Sequence, residues 1–132
     1  MKWDKITRLI AAHSKCKKKM VGAVIHKEGR IIATGWNGTP SGMDNACEEH
    51  GVTKAIVVHA EANAILFAAK HGTALAGTTL VCTLSPCVEC AKMIIQSGIT
   101  KVEYLEEYRD TLGLDILRSA GVDLVLHCNV TN

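Results

Sequence analysis

The sequence predicts an α/β fold, a mixed β-sheet covered by helices. Three observations point to it. Apolar periodicity and turn residues give the element order αββαβαβαβ. Each late strand is separated from the next by a helix, which favours parallel strands joined by right-handed crossovers. With 132 residues, 48% of them hydrophobic and 21% charged, the chain can bury a core as one domain over residues 1–132 without disulfide staples.

Trp3, Ile6, Leu9 and Ile10 recur at helical spacing behind Asp4, an N-cap residue type, which places a surface helix at about 4–15. The basic cluster Lys15, Lys17, Lys18 and Lys19 follows, fitting a solvated loop from which one lysine could reach an anionic ligand. Val21 to Ile25 and Ile31 to Thr34 are β-prone runs around Lys27-Glu28-Gly29-Arg30, a hairpin signal. Trp36 to Lys54 is rich in Gly, Pro, Ser, Asn and acidic residues, and a loop of that length is usually functional or mobile. A strong helix is expected at about 59–71, stopped at Gly72. Then come a strand at 79–83, a helix at about 87–97 stopped at Gly98, and a strand at 101–105. A helix near 110–119 ends before Gly121, and a last strand runs from 122 to 126.

Fifteen Lys and Arg against thirteen Asp and Glu leave a net charge of +2, too little to hold a nucleic-acid backbone by bulk electrostatics. The N-terminus lacks a signal-peptide core, and no apolar run approaches the roughly 18 residues of a membrane span. A cytoplasmic protein is expected, the host cytoplasm if the chain is phage-encoded. There, Cys16, Cys47, Cys82, Cys87, Cys90 and Cys128 should be buried, metal-bound or catalytic rather than cross-linked. Asn129-Val130-Thr131 is then a chance match to a glycosylation site.

The chemistry-bearing residues are His59-Ala60-Glu61 at one helix start and Pro86-Cys87-Val88-Glu89-Cys90 at the next, with 24 residues between Glu61 and Pro86. Alone, each fits a structural or redox role. Together they offer three metal ligands, His59, Cys87 and Cys90, and one uncommitted carboxylate. Three protein ligands leave the fourth position of a tetrahedral zinc open for water, whereas structural sites fill all four with protein. Cys87 and Cys90, three apart on a first turn, face one way, and the helix N-terminus favours their thiolates. Zinc lowers the pKa of its water to about 7, and Glu61 beside it can carry the proton. H-x-E…P-C-x-x-C is the established signature of zinc deaminases that act on nucleobases.

Gly35-Trp36-Asn37-Gly38-Thr39-Pro40-Ser41-Gly42, with Thr83-Leu84-Ser85-Pro86-Cys87, closely resembles deoxycytidylate (dCMP) deaminases, especially those of T-even phages and their bacterial relatives. The resemblance runs from Ser14-Lys15-Cys16 through Val21-Gly22-Ala23-Val24-Ile25 to Asp115-Ile116-Leu117-Arg118-Ser119-Ala120-Gly121. It implies a cytidine-deaminase-like three-layer α/β/α fold with a five-stranded mixed sheet. It also implies zinc on His59, Cys87 and Cys90, Glu61 as proton shuttle, and hydrolysis of dCMP to dUMP and ammonia.

For substrate binding, it implies the Ala60 N–H on the cytosine carbonyl, the Ser85 carbonyl on the exocyclic amine, Asn37 on the deoxyribose, and Tyr104 and Tyr108 near the nucleotide. Asn37-Gly38 equally fits a turn, Tyr104 strand packing, and Tyr108 simple exposure. Cys16, Cys47 and His50, with His13 or His26 or another group as fourth ligand, form a possible second metal set; a buried thiol and a surface histidine are the alternative. Cys82 and Cys128 are expected to be plain thiols. Phe67, core on local evidence, and Lys70, in place of an Arg, match a dCTP/dTTP effector site in the phage relatives. A hexamer is suggested by the same relatives.

One departure, and a second family that shares it, keep rivals open. The family usually has Tyr where Trp36 stands, and Trp36-Asn37 after Gly35 also occurs in tRNA adenosine deaminases. Rival functions are therefore a deaminase of another base, including tRNA adenosine, and a non-enzymatic zinc module.

Overall fold

The computed structural model describes residues 2–127, so the expectations for Cys128 and Asn129-Val130-Thr131 lie outside the described residues. The elements are α1 Lys2–Ala11, β1 Gly22–Lys27, β2 Arg30–Trp36, β3 Glu48–Glu49, β4 Val52–Thr53, α2 Ala60–Lys70, β5 Thr79–Leu84, α3 Val88–Ser97, β6 Lys101–Glu106, α4 Leu112–Ser119 and β7 Asp123–Leu126. The main sheet has the order β2-β1-β5-β6-β7. β1 is antiparallel to β2 and β5, while β5, β6 and β7 run parallel, as their intervening helices require.

Alternation along β1 sorts the helices into layers. Gly22 and His26 face α1, where a side chain on Gly22 would press on the Ala11 nitrogen at 2.5 Å and the Thr7 carbonyl at 2.7 Å. On that face the His26 ring stacks on Trp3, centroids 4.0 Å apart. Ala23 and Ile25 face the other way, into a core with Ala60, Ala64 and Ala68 of α2, Ile94 of α3 and Leu114 and Leu117 of α4. The alanine face of α2 and Gly35 of β2 let helix and strand approach closely, because any Cβ at Gly35 would collide with the Ala60 carbonyl and the Ala64 nitrogen. The result is the expected three-layer arrangement. Among the described residues, no helix is long and apolar enough to cross a membrane.

Four local expectations are corrected. α1 stops at Ala11 rather than near 15, because Ser14 leaves the helix to donate from its hydroxyl to the Asn37 carbonyl (2.9 Å) and accept from the Cys16 N–H (3.1 Å). The long loop contains the hairpin β3–β4, closed by His50 and Gly51 with φ of 54° and 77°, as a two-residue hairpin turn requires. Phe67 is 48% exposed rather than in the core and packs against His71. Cys16 and Cys47 form a disulfide, against the expectation of uncrosslinked thiols. The chain folds their α-carbons to 5.1 Å, a separation that composition cannot reveal.

Candidate active site

The N-termini of α2 and α3 converge. His59 and Cys87 are their N-caps, both extended, with φ/ψ of −69°/156° and −75°/174°, and neither side chain caps its own helix. Both are therefore free to project beyond the helix ends, and Cys90, one turn on, points the same way. His59 Nδ1 lies 3.4 Å from Cys87 Sγ and 3.5 Å from Cys90 Sγ. Zinc–nitrogen bonds of about 2.0–2.1 Å and zinc–sulfur bonds of about 2.3 Å at a tetrahedral angle give N···S separations of about 3.5 Å. The donor atoms thus already stand at the spacing zinc requires.

Their protonation fits a cation as well. Cys87 is held well below the usual thiol range by hydrogen bonds from Cys90 and His59. Cys90 is pushed up because its proton bridges to Cys87, and burial adds to this. His59 is raised chiefly by its hydrogen bond to Cys87. A thiolate, a shared proton and an imidazole gathered at two helix N-termini form a set that a divalent metal can take over by displacing protons.

Glu61 is buried beside them at the second helical position of α2. Burial raises its pKa to about 7, opposed by its own backbone N–H and by His59. A carboxyl balanced near neutrality can both take and return a proton. Cys82, fully buried beneath the site with its thiol pushed up by burial, behaves as the expected inert thiol.

His59, Glu61 and Cys87 open onto a cavity of about 490 Å³ that Asn37, Ala60, Ser85 and Tyr108 also line. Ala60 N–H belongs to the first helical turn and has no partner within α2. The buried Ser85 hydroxyl accepts the Tyr108 N–H at 2.7 Å, and its own N–H donates to the Glu106 carbonyl at 2.9 Å, fixing the segment after β6. Asn37 is more committed than expected: its Oδ1 accepts the Val21 N–H and its Nδ2 donates to the Lys19 carbonyl, both at 2.8 Å. Tyr104 is buried in the core, while Tyr108 is 43% exposed at the cavity.

The second metal set is not available as expected, because a disulfide offers no thiolate to a metal. Cys16 and Cys47 are bonded to each other, and the metal-capable group beside them is Glu48, with His50 exposed at the hairpin turn. Phe67 and Lys70 line a separate groove with Trp36 and Leu66.

Sequence reasoning overlooked Arg109, which lines the cavity from the segment after β6, and Glu48 and Thr53, which line it from the hairpin. The His50-Gly51 pair was the available signal for the hairpin; Arg109 carried none.

Residues 2–106 match the cytidine and deoxycytidylate deaminase zinc-binding region. The deoxycytidylate deaminase of Enterobacteria phage T4 is 39% identical over 163 aligned residues, covering 90% of this chain and 84% of that protein. A crystal structure of the dCMP deaminase from cyanophage S-TIM5, in complex with dCMP and dUMP, superposes with a TM-score of 0.93 at 45% identity, covering 96% of this chain and 94% of that one. A structure from studies of A-to-I editing by tRNA:A34 deaminases superposes at 0.66 with 21% identity, covering 96% and 97% of the two chains, a likeness of fold alone.

Proposed function

The chain belongs to the cytidine and deoxycytidylate deaminase family, and from that membership we infer that it hydrolyses dCMP to dUMP and ammonia. The observation that carries the reading is a three-donor cluster, His59, Cys87 and Cys90, with one uncommitted carboxylate, the buried Glu61, lining the same cavity as His59 and Cys87. A metal that only stapled the fold would have no use for Glu61.

His59, Cys87 and Cys90 would hold the zinc. When bound, it supplies the Lewis acidity that makes water a competent nucleophile near pH 7. Glu61 takes the proton of the attacking water and delivers it to N3 of the cytosine. It then takes the proton of the hydroxyl now on C4 and passes it to the amine, so that the C4–N bond breaks, ammonia leaves and the hydroxyl oxygen becomes the uracil carbonyl. The Ala60 N–H donates to the cytosine O2, and the Ser85 carbonyl accepts from the exocyclic amine. Tyr108 covers the nucleotide at the cavity mouth. Atoms balance: water adds at C4, and ammonia departs from it.

Three finer readings rest on the resemblance: regulation by dCTP or dTTP at Phe67 and Lys70, a hexameric assembly, and residence in the cytoplasm. Sharing of one groove by Phe67 and Lys70 supports the first.

Ammonia release from dCMP, deoxycytidine, CMP and a tRNA anticodon hairpin, measured side by side, tests the substrate. Turnover of dCMP with the highest kcat/KM is expected. Equal efficiency on deoxycytidine moves the chain to the nucleoside branch, and turnover of the hairpin alone moves it to the tRNA branch.

A further inference from the structure

The chain that follows β6 meets the cysteine-bearing loop at three successive residues. Ser85 N–H donates to the Glu106 carbonyl at 2.9 Å, and the Ser85 hydroxyl accepts the Tyr108 N–H at 2.7 Å. Pro86 and Cys87, next in line, lie against Gly113, the buried second residue of α4. A Cβ on Gly113 would stand 2.2 Å from the Pro86 carbonyl oxygen and 2.9 Å from both the carbonyl carbon and the carbonyl oxygen of Cys87. Gly113 lies beyond residues 2–106, which match the family's zinc-binding region, and it does not line the cavity.

Conformation does not call for glycine here. The φ of Gly113 lies outside the left-handed region, and within a helix glycine is a poorer former than alanine. The close approach is what requires it. Neither side of the contact can easily yield. Pro86 is fully buried, and the Cys87 carbonyl accepts the Ala91 N–H at 2.8 Å as α3 begins. Leu114 and Leu117 hold α4 in the core, so the helix cannot retreat without opening a cavity. Bringing an added Cβ to an ordinary carbon–oxygen separation of about 3.3 Å needs a shift of about 1 Å. A metal site holds its donors to within about 0.5 Å. Cys87 belongs to the peptide that would move, whereas His59, whose Nδ1 is 3.4 Å from the Cys87 sulfur, belongs to α2.

We propose that Gly113 is a positioning residue for the metal: its bare α-carbon lets α4 seat against the Pro86–Cys87 peptide and so sets the distance of the Cys87 thiolate from His59 and Cys90. This rests on the reading of His59, Cys87 and Cys90 as the zinc ligands of a deaminase. Gly113 acts only through Cys87.

The test compares Gly113→Ala with wild type and with Leu75→Ala, which removes a buried side chain ahead of β5, at the end of that strand remote from Cys87. Each protein is measured for Tm, for zinc affinity by competition with a chelator, for the visible spectrum of its cobalt(II)-loaded form, and for kcat and KM with dCMP at saturating zinc. Gly113→Ala should bind zinc about tenfold more weakly or worse, alter the cobalt–thiolate bands, and lose about tenfold or more in kcat with KM for dCMP within about threefold of wild type. Leu75→Ala should lower Tm at least as far and keep the wild-type zinc affinity and cobalt spectrum. Wild-type affinity and spectrum in Gly113→Ala would overturn the proposal, as would an equal loss of zinc affinity in Leu75→Ala, which would make the effect one of stability alone. Should Gly113→Ala not fold, amide exchange in wild type decides. Zinc loading should slow the Asp115 N–H, which donates to the Thr111 carbonyl at the start of α4, by a larger factor than it slows the amides of α1 on the other face of the sheet. An equal or smaller factor would overturn the role of Gly113. Failure of wild type to release ammonia from dCMP sinks the deaminase reading, whereas the zinc affinities and cobalt spectra judge Gly113 independently of turnover.

Discussion

In the proposed mechanism Glu61 is the residue that moves protons, and its environment suits it to that task. A carboxylate in water titrates near 4 and would be a weak proton acceptor at neutral pH; burial, with Cys87 nearby, brings this one to about 7 against the opposing pull of its own backbone N–H and His59. Glu61→Gln keeps the size and hydrogen-bonding capacity of the side chain but cannot carry a proton. It should bind zinc as wild type does and lose about 10²–10⁴-fold in kcat. Retention of more than a tenth of wild-type kcat would remove Glu61 from the mechanism. The four residues of this centre were legible in the sequence, because their spacing within two helix starts is itself the geometry. The engagement of Asn37 was not, since its partners Lys19 and Val21 lie 18 and 16 residues away across a turn. The Lys19–Glu106 pair, 87 residues apart, was further still from anything local pattern can show.

At the scale of elements, the site depends on how closely α2 lies against β2. Gly35 faces the Ala60 carbonyl and Ala64 with no room for a side chain, so the strand sets the position of the first turn of α2, and with it His59 and Glu61. Gly35→Ala should push helix and strand apart. Overpacking of this kind costs about 1–3 kcal/mol, and a thermal melt should register a lower Tm by several degrees. Activity should fall further than that instability explains, because the carboxylate and imidazole move relative to Cys87. A variant with unchanged Tm and kcat would show that the close approach is not needed. The helices and strands around the core were readable from period and punctuation. The end of α1 was not, because Ser14 is drawn off by Asn37, a tertiary contact that overrides helical pattern. The exposure of Phe67 escaped for a similar reason: α2 turns its alanines to the sheet, leaving the larger Leu66 and Phe67 outward.

For the whole molecule, the sheet order follows from chain order. The antiparallel pair β1–β2 begins the sheet, and the parallel β5, β6 and β7 extend it by helical crossovers, placing the starts of α2 and α3 side by side. The Cys16–Cys47 disulfide was the largest departure from expectation, because covalent pairing depends on where the 36–54 loop folds back rather than on composition. Metal and fold should be coupled here, since His59 comes from one helix start and Cys87 and Cys90 from the other, so zinc removal should lower Tm. The most direct measurement is conversion of dCMP by protein stripped of metal and then titrated with zinc, reading dUMP, ammonia and bound zinc together. Stripped protein should yield neither product, and equimolar dUMP and ammonia should return in proportion to zinc bound at His59, Cys87 and Cys90. Undiminished conversion by the stripped protein, or no dUMP from protein with this site filled, would contradict the assignment.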